Sequence, residues 1–188
     1  MNPIHMSAYT NKPSAYLEII LGCMFSGKTS RLVEVYKQCN FCNIPVNVIN
    51  HISDNRYDEE MLSTHDQIKI PCVKTDRLMA LEGIISGDVI LINEGQFFPD
   101  LKEFVTLMLG QGKKIYVCGL DGDFERKKFG QILDLIPICD KVMKLTSLCT
   151  LCKDGTQGIF SKRISSETGQ LVIGTKNYIP VCRNCYEK

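Results

Sequence analysis

The stretch LGCMFSGKTS, residues 21–30, decides the fold. Gly22 is followed by Cys23, Met24, Phe25 and Ser26 and then by Gly27, Lys28 and Thr29, which meets the spacing G-x-x-x-x-G-K-T in full. Such a loop folds around phosphate. Its glycines let backbone N–H groups converge on phosphate oxygens, Lys28 reaches the β- and γ-phosphates, and the Thr29 hydroxyl is placed to ligate Mg²⁺. The context agrees: Leu17-Glu18-Ile19-Ile20-Leu21 reads as a short apolar strand, and Leu32, Val33, Tyr36 and Cys39 share one face of a helix after the loop. That helix points its positive end at the anion.

Working outward, residues 46–49, 88–92, 114–120 and 141–145 read as further strands, the second nearly unbroken in its apolar character and so buried on both faces. Helical patterns lie between them, one capped by Asp76 and carrying Leu78, Leu81 and Ile85, another opening at Pro99-Asp100 with Leu101, Phe104, Val105 and Met108. Strands alternating with helices imply a parallel sheet with right-handed crossovers. After about Leu145 the texture changes to glycines, polar residues and paired cysteines with no helix period. The reading is therefore a polar lead-in over residues 1–15, a P-loop α/β domain over 16–145, and a small loop-rich unit over 146–188.

The bulk properties bound the function. The 188 residues are 44% hydrophobic and 23% charged, the balance of a packed globular chain. A net charge of +1 offers no broad basic field for a nucleic-acid backbone. No apolar run approaches the roughly 20 residues of a membrane span, and the first residues lack the basic-then-apolar layout of a secretory signal. A reducing cytoplasm is the expected home, where the ten cysteines are metal ligands or small core residues rather than disulfides.

Three places carry chemistry beside the loop. Asn93, Glu94, Gly95 and Gln96 follow the most apolar strand, which puts the Glu94 carboxylate near the γ-phosphate, where it can accept a proton from an attacking hydroxyl. Cys149/Cys152 and Cys182/Cys185 are two Cys-x-x-Cys pairs in the loop-rich region, the spacing of a closed, tetrahedral structural Zn²⁺ site. The metal would supply much of the stability of a segment with so little core. A third pair, Cys39/Cys42, ends a predicted helix and is read as core packing. The loop of residues 119–130, GLDGDFERKKFG, follows another strand end and offers aromatic and basic groups to the cleft.

These pieces, in this order, resemble the type II thymidine kinases, the cytosolic kind with a zinc-bearing lid. The matching stretches run from about Leu17 to Tyr186: GCMFSGKT (22–29), DNRY (54–57), THD (64–66), EGQFFP (94–99), LDGDFERKKFG (120–130), KLT (144–146), SKR (161–163), VIG (172–174), and Tyr178 with CRNCY (182–186). The resemblance implies a P-loop NTPase-like, RecA-like parallel sheet with a small zinc-bound lid. It implies transfer of the ATP γ-phosphate to the 5′-hydroxyl of thymidine with Mg²⁺. By motif match Glu94 is the general base, Arg126 assists with transition-state charge, and Asp54, Asn55, Arg56 and Gln96 lie near the phosphates. Thymine is enclosed by Met24, Leu120, Phe124, Phe129, Ser161 and Tyr178. A lasso over about residues 163–178 reads it through backbone groups, with Leu171, Val172, Ile173 and Gly174 against the base. The resemblance also implies a homotetramer, feedback by thymidine triphosphate, a cytoplasmic location, and neither nucleic-acid nor membrane binding.

The chain departs from the family pattern in three places. Asn93 stands where the family has Asp, which bears on Mg²⁺; residues 172–178 are one residue short and lack a second glycine; and Cys23 replaces a proline. The long C-terminal tail of animal members is expected to be absent. Two other readings stay open: a degenerate nucleoside-binding homologue slowed by Asn93, and a phosphate-loop ATPase whose zinc ribbon grips nucleic acid.

Overall fold

The computed structural model describes residues 15–54, 61–64, 68–166, 169 and 177–188. In chain order the elements are β1 (Tyr16–Gly22), α1 (Lys28–Phe41), β2 (Val46–His51), β3 (Met61–Ser63), β4 (Lys69–Pro71), β5 (Val73–Thr75), β6 (Val89–Ile92), α2 (Leu101–Gly110), β7 (Lys114–Gly119), β8 (Lys141–Leu145), β9 (Ser147–Leu148), β10 (Gln157–Gly158), β11 (Phe160–Arg163), β12 (Tyr178–Val181) and α3 (Arg183–Glu187). Short 3₁₀ turns at Met79–Leu81, Gly95–Phe97 and Ile132–Ile138 join them.

Six strands form one sheet in the order β5-β2-β6-β7-β1-β8, and every pairing in it is parallel. Parallel strands need covered faces, and the period of two along each strand supplies both. Leu17, Ile19, Ile90, Ile92, Ile115 and Val117 point to one side, where Phe104, Val105 and Met108 of α2 meet them. Ile20, Val89, Leu91 and Cys118 point to the other, against Leu32, Val33, Val35 and Cys39 of α1. Phe104 and Met108 are fully buried, and each such side chain contributes about 1.5–3 kcal/mol by leaving water.

Because all six strands run the same way, their carboxyl ends share one edge. The phosphate loop after β1, the end of β2 at Asn50 and His51, the turn after β6 and the loop after β7 meet there, at the place where an open α/β sheet binds its ligand. Beyond β8 the chain builds two small antiparallel pairs, β9 with β10 and β11 with β12.

Three expectations need correction. Asp76 caps no helix: residues 79–81 make a single 3₁₀ turn whose entry N–H groups, Leu78 and Met79, donate to the carboxylate of Asp100 from across the fold. Tertiary bonding replaces the local cap. The segment after residue 146 does contain a helix, α3, though it is only five residues long, too short for its period to register. Of the Cys39/Cys42 pair, Cys39 packs in the core as expected, while Cys42 is exposed. The lead-in expected over residues 1–15 lies, apart from Ala15, outside the described residues.

Candidate active site and zinc centre

The loop between β1 and α1 is shaped by backbone the sequence can adopt only in places. Gly22 has φ 151°, and a Cβ there would lie 2.5 Å from the Leu145 carbonyl oxygen and 2.6 Å from Ser26 Oγ, so any side chain would push β8 away from the loop. Gly27, at φ 85°, starts α1 with no side-chain cap and no acidic residue in the first turn. The first N–H groups of α1 are thus left for an outside acceptor. Ser26 Oγ is buried with no hydrogen-bond partner among the described residues. A buried orphan hydroxyl beside an uncapped helix start is the donor set that fits a phosphate oxygen. Lys28 Nζ donates to the Cys23 carbonyl at 2.7 Å, which lays its side chain across the loop.

At the end of β6, Glu94 has φ 55°, a left-handed backbone that is costly for a residue with a Cβ and that clusters at functional sites. Its carboxylate accepts Gln96 Nε2 at 2.7 Å, while Gln96 Oε1 accepts the Leu120 N–H at 3.0 Å. The backbone donor at Leu120 fixes which end of the Gln96 amide is which. Asn93 is buried, and Thr29 Oγ1 lies 3.4 Å from its Oδ1. Two uncharged oxygens side by side at the loop are a donor set suited to a hard cation such as Mg²⁺.

The loop after β7 is braced from within, since Glu125 N–H and Lys127 N–H both donate to Asp123 Oδ1. Arg126, at φ 64°, pairs with Glu187 of α3 at 2.5 Å and stacks on Tyr186 at 4.3 Å. Phe129 meets Phe97 edge-on at 5.5 Å. Arg163 lies 3.6 Å over the Phe124 ring and donates to the Tyr178 hydroxyl at 2.6 Å, which gathers two of the residues expected at thymine. The Ser161 hydroxyl accepts the Met24 N–H at 2.9 Å, and the Cys23 thiol donates to the Gly158 carbonyl at 3.2 Å. These two bonds tie the cysteine-rich segment to the phosphate loop. Asp54 is buried beside the end of β2. Asn55, Arg56, Leu171, Val172, Ile173 and Gly174 lie outside the described residues.

The four expected zinc ligands converge. The sulfurs of Cys149, Cys152, Cys182 and Cys185 all lie within 4.8 Å of one another, with Cys152 at 3.8 Å from Cys182 and 3.5 Å from Cys185. Zn–S bonds of about 2.3 Å set tetrahedrally put sulfurs at roughly this spacing, so the residues fit Zn²⁺. The clustered thiols share their protons unevenly. Desolvation opposes ionisation of Cys149, but backbone N–H groups of Cys182, Cys152 and Leu151, with the Cys152 thiol, lower it to about 6. Hydrogen bonds with the neighbouring sulfurs raise Cys152 to about 12, and Cys185 is raised too, its hydrogen bond with Cys152 being outweighed by Cys182 and burial.

The family model for thymidine kinase matches residues 15–186. The chain belongs to the thymidine kinase family. Among its relatives, the thymidine kinase of Yaba monkey tumor virus is 43% identical over 95% of this chain and 98% of its own length. Those of Variola virus and Monkeypox virus are 40% and 39% identical, each over 91% of this chain and 96% of its own length. The uncapped start of α1 and the Glu94 carboxylate lie at one edge of the parallel sheet. Sequence reasoning missed Asn50, whose amide bonds Asn93 and Asp54. It also missed the anchoring of Gln96 and the stack of Arg163 on Phe124. An asparagine inside a strand and an arginine at the end of a short strand carry no local signal of such contacts.

Proposed function

We propose that the chain transfers the γ-phosphoryl group of ATP to the 5′-hydroxyl of thymidine, giving thymidine monophosphate and ADP, in the salvage of nucleosides for DNA synthesis. The observation that carries this is the meeting of the uncapped loop–helix start with the Glu94–Gln96 pair at one sheet edge, in a chain of the thymidine kinase family. In the reaction the 5′-oxygen bonds to the γ-phosphorus, the bond from that phosphorus to the β–γ bridging oxygen breaks, and Glu94 takes the hydroxyl proton. Lys28 and the amides of residues 22–29 hold the triphosphate, with Asp54, Asn55, Arg56 and Gln96 completing its surroundings. Arg126 adds positive charge as the transfer proceeds. Thr29 and Asn93 would hold Mg²⁺, which when bound supplies neutralising charge at the β- and γ-phosphates.

Thymine then sits among Met24, Leu120, Phe124, Phe129, Ser161 and Tyr178, with residues 171–174 reading its edge through the backbone. Zn²⁺ on the four cysteines is structural and holds residues 146–188 as a lid over the domain of residues 16–145. Feedback by thymidine triphosphate, a homotetramer and a cytoplasmic location belong to the same reading; no helix among the described residues is long and apolar enough to cross a membrane. The test is phosphate transfer from Mg·ATP to thymidine, deoxyuridine, deoxycytidine, deoxyguanosine and uridine. Thymidine monophosphate as the main product supports the proposal. No product from folded, zinc-loaded protein sinks it.

A further inference from the structure

We propose that Asn50 is a positioning residue for phosphoryl transfer, which fixes the Asn93 amide so that its oxygen, and not its NH₂, faces Thr29. The proposal rests on the phosphate-loop reading above. Asn50 is the penultimate residue of β2, the strand beside β6, and both asparagines are 1% exposed. Amide oxygen and nitrogen are told apart by their partners, and here a chain of unambiguous partners does so. The backbone N–H of His51 can only donate, and it donates to one end of the Asn50 amide at 3.0 Å, which makes that end Oδ1. The other end, Nδ2, then faces Asp54 Oδ2 at 3.1 Å, an acceptor as required. Asn50 Oδ1 also lies 2.9 Å from the Asn93 amide, whose near atom must therefore be Nδ2.

Asn93 Oδ1 is left on the far side. There it takes the Cys118 thiol at 2.9 Å and faces the Thr29 hydroxyl at 3.4 Å. An amide free to flip would present an NH₂ group to the loop for part of the time and repel a cation. Asn50 removes that choice, and so lets a neutral residue present one acceptor oxygen to the loop.

The same geometry bears on replacing Asn93 by Asp. The new carboxylate oxygen would stand about 2.9 Å from Asn50 Oδ1, acceptor against acceptor in a buried site. Asn50 cannot turn its NH₂ toward it without losing the His51 N–H and facing Asp54 with an oxygen. The carboxylate is therefore misfitted in this chain.

Two variants test the proposal. Calorimetric binding of ATP with and without Mg²⁺, in the absence of any nucleoside, reads the site independently of which nucleoside is phosphorylated. With Asn50→Leu, of similar volume but without the amide, the preference for Mg·ATP over free ATP should fall by roughly tenfold, while free ATP binds as before and thymidine KM moves little. An unchanged preference in folded protein overturns the proposal. Asn93→Asp, a near-isosteric change, keeps the test alive if Asn50→Leu does not fold. It should lower Tm by several degrees and fail to raise kcat. A variant with undiminished Tm and a raised kcat would overturn the proposal.

Discussion

Gln96 holds Glu94 by a side-chain amide bond of 2.7 Å and is itself held by the Leu120 N–H at 3.0 Å. The carboxylate proposed as base is thus aimed by a residue from its own turn and by the strand end after β7. Glu94→Gln keeps size and removes the proton acceptor. Its kcat should fall by about 10²–10⁴ with ATP affinity retained, as single-turnover kinetics and ATP titration would read. Gln96→Leu should lower kcat less, since the base is present but poorly aimed. Full turnover by Glu94→Gln would dismiss its role as base.

The cysteine cluster reaches the phosphate loop through two bonds, Ser161 Oγ with Met24 N–H and the Cys23 thiol with the Gly158 carbonyl. Metal analysis of the purified protein should give about one Zn²⁺ per chain. Its removal by chelator should weaken ATP as well as thymidine, because segment and loop share those tethers. Ser161→Ala removes one tether and should cost about 1 kcal/mol. Cys42→Ser, at an exposed thiol outside the cluster, should leave both zinc content and ATP affinity as they were. Loss of zinc with wild-type ATP binding would mean the tethers carry no coupling.

The parts legible in the sequence are those whose signal is local. The phosphate-loop spacing, the unbroken run Val89-Ile90-Leu91-Ile92 and the two cysteine pairs each state their role within a few residues, and all lie where the pattern puts them. The failures are non-local. Asp76 reads as a cap, but the donors it would serve go to Asp100. Asn50 is one polar residue in a strand, and its meaning depends on His51, Asp54 and Asn93 meeting across two strands. The left-handed backbone of Glu94 and Arg126 has no sequence signature, because neither is a residue type that favours it.

His51 gives a pH dependence with a definite sign. It is buried against Phe97 at 5.3 Å and Phe98 at 4.9 Å, and its Nδ1 accepts the Ser53 N–H. Burial lowers its pKa, and Asp76 and Glu94 only partly oppose this. The unfolded chain, titrating at about 6.5, then binds a proton that the folded chain refuses, so stability falls as pH drops from 6.5 toward the folded value. The Tm of His51→Gln should fall less than that of the parent between about pH 7.5 and 5.5. Parallel Tm curves for the two proteins would exclude His51 as a source of acid lability.

Gly130 and Gly110 should answer substitution by alanine with opposite signs. Gly130 has φ 59°, and a Cβ there would lie 2.1 Å from the carbonyl oxygen and 2.9 Å from the carbonyl carbon of Gln96. That backbone cannot retreat freely, since it carries the side chain that aims Glu94. Gly130→Ala should therefore cost about 2–4 kcal/mol, from left-handed strain and overpacking together, and should lower kcat along with stability. Gly110 closes α2, and a Cβ added there would meet nothing within 4 Å. There alanine only reduces the freedom of the unfolded chain and should stabilise by about 0.4–1 kcal/mol with kcat unchanged. Thermal melts and initial rates on the two variants measure both effects. A stable, fully active Gly130→Ala would show that the approach of the loop after β7 to Gln96 is not needed to aim the base.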